Sequence, residues 1–155
     1  MNLLKILVTG SLDMIKDPII DIVIGQSESY SQTITDADIK SFSGISGDKN
    51  PVHMDSEYAE KSRYGRRIAH GMMSVSYFSA LFGMKLPGPG CVYVEQSVKF
   101  IRPVYIGDTL TATVEVERIN IEKRRIYFKT YCTVSGKKVI TGNAEIYLPK
   151  VNMED

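Results

Sequence analysis

The stretch GMMSVSYFSALFGMKL, residues 71–86, constrains this chain more than any other. Met72, Met73, Val75, Tyr77, Phe78, Leu81, Phe82 and Met84 fall on nearly every face of the helix that it predicts. A helix that is apolar all round must be buried, so the rest of the chain has to wrap it. Pro87, Gly88, Pro89 and Gly90 stop the helix. Beyond Gly90 the chain alternates with period two. Val92, Val94, Gln96, Val98 and Phe100 share one face, as do Leu110, Ala112, Val114 and Val116, then Ile126, Phe128, Thr130, Cys132 and Val134, and finally Ile140, Ala144, Ile146 and Leu148. Polar residues hold most of the places between them, which is the pattern of antiparallel strands covered on one side. Ser135-Gly136 between the last two runs is a hairpin signal.

Upstream, residues 26–34 read as a strand. Thr35 opens a helix over TDADIKSFSGIS, with Asp38 at the capping-box position and Ile39, Phe42 and Ile45 at helical spacing. Gly47 closes it. A second short helix runs from Asp55, its N-cap, to about Arg63, and Gly65 ends it. This order predicts an α+β chain: a single hotdog domain over residues 26–150, with an antiparallel sheet wrapped around a central buried helix. Residues 1–25 are expected to form an N-terminal extension. Within it KILVTGS looks like the first strand of a dinucleotide-binding unit, but no glycine pattern follows Gly10, so no phosphate-cradling turn forms there. An open sheet leaves an edge strand, and such edges commonly pair with a second copy. A homodimer or higher homo-oligomer is expected.

Composition excludes several function classes. At 155 residues the chain buries roughly 70% of its unfolded surface and needs no metal or disulfide to fold. Lys plus Arg is 19 and Asp plus Glu is 18, too even a balance for a broad nucleic-acid footprint. No apolar run reaches transmembrane length, and the first residues make a poor signal peptide. Cys91 and Cys132 sit in strand-like apolar runs without metal-type spacing, and read as small buried hydrophobes. These features point to a cytoplasmic protein with no membrane or nucleic-acid partner and no metal.

The segment SGDKNPVHMD, residues 46–55, carries the chemistry. Asp48 accepts hydrogen bonds or carries a proton, and His53 titrates near neutral pH. Pro51 stiffens the segment between them and keeps Asn50 out of helical dihedrals. The buried helix begins just downstream, near Gly71. Its first amides lack intrahelical partners and carry the positive end of the helix dipole, which suits an oxygen gaining negative charge. Glycine there allows close approach to the backbone. An acid/base pair, an oxyanion donor and an apolar slot together suit a thioester carrying an acyl chain. Leu81 and Phe82 are bulky and expected at the floor of that slot, with Ser79 nearby, which predicts short acyl chains. His70 reads as structural at the helix entry, and Ser74 and Ser76 as back-bonded within the helix. Lys99, Arg102, Arg124 and Arg125 are candidates for coenzyme A phosphates, but solvated strand and loop charges are the simpler reading, so none is assigned.

Three stretches share a resemblance. FSGISGDKNPVHMDSEYA resembles the signature of (R)-specific enoyl-CoA hydratases in the MaoC-like hotdog family, RIAHGMMSVSYFSALFG is similar to the helix that follows it there, and YVEQSVKFIRPVYIGDTL to a strand segment. The resemblance runs from about Gln26 to Leu148. It implies hydration of a trans-2-enoyl thioester to an (R)-3-hydroxyacyl thioester, with coenzyme A as part of the substrate and no separate cofactor. By the same resemblance His53 is the general base on a bound water, Asp48 orients that water and helps deliver a proton to the alpha carbon, Asn50 holds the loop, Gly71 N–H binds the thioester oxygen, and Ser79 lies near the pair. The alternatives are a hotdog thioesterase, which needs the same thioester site, and a non-catalytic acyl-thioester binding subunit, which would be expected to have lost Asp48 or His53.

Overall fold

The computed structural model describes residues 17–150. Five antiparallel strands form one sheet in the order β1-β3-β4-β5-β2: β1 (Ser27–Thr33), β2 (Val92–Phe100), β3 (Thr109–Asn120), β4 (Arg125–Val134) and β5 (Lys137–Tyr147). The helix α5 (Gly71–Met84) lies against the apolar side of this sheet. This is the hotdog arrangement. Between β1 and α5 come α2 (Asp36–Ser46), α3 (Pro51–Met54) and α4 (Ser56–Lys61), and the short α1 (Pro18–Asp21) precedes β1.

The alternation in the last three strands sets the core. Leu110, Ala112, Val114 and Val116 of β3, Ile126, Phe128 and Cys132 of β4, and Ile140, Ala144 and Ile146 of β5 are all buried. Phe78, Leu81 and Phe82 of α5 are at most 1% exposed among them. The Phe82 ring meets those of Phe128 at 4.8 Å and Tyr93 at 5.0 Å between centroids, both edge-on. Each such side chain contributes roughly 1.5–3 kcal/mol by leaving water. The predicted β4–β5 hairpin is present, with Ser135 at φ 48° and Gly136 at φ 73° as a tight turn with both residues left-handed.

Three expectations change. First, α5 is not covered all round: Met72 is 56% and Met84 75% exposed, and with Ser76, Ser79 and Ala80 they form one open stripe. A uniformly apolar helix has no polar stripe to mark its outer face. Second, β2 alternates in sequence, yet none of its residues is buried. It is a sheet edge, paired only with β5, and a bulge between Tyr93 and Glu95 interrupts its register. Third, the packed unit begins before residue 26. Ile19 and Ile22 belong to the core. The Asp17 carboxylate caps α1 through Ile19 N–H and pairs with both terminal nitrogens of the Arg124 guanidinium, at 2.7 and 2.9 Å. Arg124 also donates to Leu148 O and Pro149 O. The KILVTGS stretch lies outside the described residues.

Replacing Ile19 by Ala should therefore destabilise the protein by about 2–5 kcal/mol. In urea unfolding this appears as a lower midpoint at unchanged slope. An unchanged midpoint would show that the segment before β1 only rests on the surface.

Candidate active site

Local capping builds the site. Thr35 and Asp38 close a reciprocal capping box at the start of α2. Gly47 ends α2 at φ 78°, a left-handed turn that suits glycine. The chain then folds on its own side chains. Asp48 N–H donates to Ser46 Oγ at 3.1 Å, Asn50 N–H to Asp48 Oδ1 at 3.0 Å, and Val52 N–H to Asn50 Oδ1 at 3.3 Å. Asn50 is the N-cap of α3, with Pro51 in its first turn. His53 sits on this one-turn helix.

These turns bring Asp48 and His53 face to face. Asp48 Oδ2 lies 4.0 Å from His53 Nε2. The carboxylate side chain is 49% exposed and the imidazole 11%. His53 Nδ1–H donates to Ile68 O at 2.8 Å, which leaves Nε2 with its lone pair toward Asp48. Arg67 holds the same residue from behind: its Nε donates to His53 O at 2.5 Å, and its Nη1 pairs with Asp36 Oδ1 at 2.7 Å. Burial lowers the His53 pKa below the usual 6.5; the bond to Ile68 O and the Asp48 carboxylate act against this, while His70 and Arg67 add to it.

His70 lies across the pair. Its ring stacks on His53 at 4.0 Å between centroids and 30° between planes. Its Nε2–H donates to Asp48 O at 2.9 Å. Asp48, His53 and His70 each offer a ligand atom within 4.8 Å of the others. One nitrogen of each ring is engaged by a main-chain carbonyl, Ile68 O for His53 and Asp48 O for His70.

A cavity of about 380 Å³ opens beside Asp48 and His53. Gly71 and Met72, from the first turn of α5, reach its wall, with Phe100 and Ile101 among the apolar lining. The His70 side chain makes no capping bond to α5, so no side chain competes for the amides that the first turn leaves unpaired. Gly71 packs closely under Phe100: a Cβ there would stand 2.5 Å from the Phe100 ring, so any larger residue must displace it. Phe100 was not anticipated. Strand alternation placed it on a core face, and only its place just before Ile101-Arg102-Pro103 hinted at a mouth. Ser74 also lines the cavity, and its buried Oγ has no partner, whereas Ser76 Oγ back-bonds to Met73 O as expected.

The structure does not bring Ser79, Leu81 and Phe82 to this cavity. Ser79 is exposed, eight residues and so about 12 Å along α5 from Gly71. Leu81 and Phe82 face the core. Of the four candidate phosphate-binding cations, Arg124 is committed to Asp17, and Arg125 pairs with Glu145 at 3.4 Å.

Residues 23–142 match the family profile described as MaoC like domain. The chain belongs to the MaoC-like domain family. It is 50% identical over 129 residues to an (R)-specific enoyl-CoA hydratase of Rhodospirillum rubrum, covering 83% of this chain and 90% of that one. Among solved structures, it superposes with TM-score 0.81 on the (R)-hydratase from Aeromonas caviae involved in PHA biosynthesis, at 36% identity over 83% of this chain and 98% of that chain. The unliganded R-hydratase PhaJ1 from Pseudomonas aeruginosa also gives 0.81, at 38% identity over 89% and 92%.

The lowered His53 pKa fixes a sign. The folded protein resists protonation there while the unfolded chain accepts it near 6.5. The stability that His53 contributes is complete above the unfolded pKa. It falls as pH drops from 6.5 through the folded value. Histidine NMR titration should give His53 a midpoint below 6.5, and a midpoint above it would contradict the burial that the structure assigns.

Proposed function

We propose that the protein is an (R)-specific enoyl-CoA hydratase, a hydro-lyase that adds water to a trans-2-enoyl thioester to give the (R)-3-hydroxyacyl thioester. The observation that carries the reading is the 4.0 Å gap between Asp48 Oδ2 and His53 Nε2 beside the cavity. That gap is too long for a good direct hydrogen bond, but it accommodates a water oxygen about 2.8 Å from each group. In this proposal His53 Nε2 takes a proton from that water as its oxygen bonds to C3. The C2=C3 electron pair moves toward the thioester, and its oxygen gains charge beside the Gly71 amide at the positive end of α5. Asp48 orients the water and helps return a proton to C2, so one water is added in all. Asn50 holds the loop through its cap on α3.

The acyl chain would lie along Met72, Phe100 and Ile101. The mechanism as proposed needs no cofactor beyond the coenzyme A already in the substrate. The exposed apolar residues of β2, Val92, Tyr93 and Val94, support pairing of this edge with a second copy. Cys91 and Cys132 are both free thiols, in keeping with a reducing cytoplasm. Among the described residues no helix is long and apolar enough to cross a membrane.

Incubation with crotonyl-CoA tests the reaction. Hydration removes the enoyl absorbance without releasing thiol and yields the (R) product on chiral analysis. Released thiol would mean a thioesterase, and no change in either signal would mean a binding subunit. Asp48→Asn and His53→Ala should each lower turnover at least about 10²-fold while the protein stays folded. Near-normal turnover in either folded variant removes that residue from the mechanism. Dialysis against EDTA should leave the rate unchanged, and a loss restored by a divalent cation would refute the metal-free mechanism.

A further inference from the structure

His70 is 2% exposed, yet no step of the proposed reaction uses it. Its connections are unusual for a residue at a helix entry. An N-cap side chain ordinarily turns back to accept from its own helix; this one turns away and makes no such bond. Its Nε2–H reaches 22 positions back in sequence to Asp48 O. One face of its ring lies on His53, and Phe42 of α2 packs against it at 5.0 Å between centroids. Its other nitrogen, Nδ1, is buried without a partner. A buried nitrogen without a partner is a standing cost, and a phenylalanine would fill the same space without it. Among the described residues, the bond to Asp48 O is the one polar contact that the His70 side chain gains in return.

We propose that His70 is a positioning residue for this site: it fixes Asp48 through the main chain and His53 through its ring, and leaves the first amides of α5 open to substrate. The three parts of the site come from separate elements: the loop after α2, the one-turn helix α3, and the start of α5. One side chain touches the first two and is rooted in the third, so their spacing depends on it. The charged and titratable groups around the His53 ring are Asp48 from the loop, Arg67 from the segment before α5, and His70 itself. Of these, His70 alone presents a ring to it, 4.0 Å away between centroids and tilted by 30°.

The inference rests on the hydratase reading, and its test separates the two. The full chain is compared as wild type, His70→Ala and His70→Gln. Glutamine keeps an N–H near the position of Nε2 but loses the ring. Turnover of crotonyl-CoA should fall about 10²-fold in His70→Ala, the usual scale for misplacing reacting groups by an ångström. His70→Gln should recover up to about tenfold of that, the scale of one hydrogen bond. The loss should fall on kcat with KM little changed. The chain has only two histidines, so the remaining imidazole signal in either variant is that of His53. Its titration, and the acid limb of kcat/KM, should move to higher pH, because a neighbour that disfavours its charge has gone.

A folded His70→Ala with wild-type kcat overturns the proposal, as does a loss confined to KM or a glutamine variant no better than alanine. If His70→Ala fails to fold, a folded His70→Gln with an unshifted His53 midpoint overturns it. A wild-type protein that does not hydrate crotonyl-CoA refutes the activity reading instead. The His53 titration then still decides whether His70 sets that residue's surroundings.

Discussion

Everything that reacts in this molecule is referenced to the packing of α5 on the sheet. Phe78, Leu81 and Phe82 are buried where the helix packs on the sheet, with Phe82 against Phe128 of β4, and the same helix begins at the cavity with its unpaired amides. A helix buried along one side cannot slide without opening the core, since interiors pack at crystal-like density. Gly71 is therefore held in place by residues two and three turns away. Phe100 approaches it from β2, and β2 is held close to β5 at Gly142, where a Cβ would come within 1.9 Å of Ser97 O. Two positions without a side chain, one on the helix and one in the sheet, allow the backbone contacts that shape the wall of the site.

The polar side of the cavity has a different origin. α2, α3 and α4 are short, and two of them are one or two turns long. Such helices are unstable alone, and they persist here by capping and by ties to their neighbours. Asp48 and His53 are fixed mainly by hydrogen bonds to main-chain groups, from Asn50 N–H to the carboxylate and from the imidazole to Ile68 O. The apolar side, by contrast, is held by burial. Directional bonds set angles and burial sets distance, and a polar pair beside an apolar slot needs both.

Much of this was legible in the residues. The alternation of β3, β4 and β5 gave the core face, because those strands are covered on one side and must separate apolar from polar positions. The cap at Thr35, the turn at Gly47 and the Asp48–His53 spacing were readable because each depends on chain neighbours. What failed to show depended on position in the sheet. β2 carries the same alternation as its neighbours, but nothing in its residues says that it is an edge. Ile19 and Ile22 join the core from a segment too short to display a period. α5 hid its outward stripe because its apolar residues are spread over every face, so Ser79, Leu81 and Phe82 were drawn toward a site that the structure builds from Met72 and Ser74. Phe100 and His70 matter through contacts across long sequence separations, which no local pattern reveals.

The clamp at Arg124 has a topological consequence. One guanidinium in the β3–β4 turn holds Asp17 near the start of the described chain and the carbonyls of Leu148 and Pro149 near its end. The segments just before β1 and just after β5 are thereby fastened at a single side chain. Fraying of either segment removes a partner that helps to seat the other, so the two should loosen as one cooperative unit.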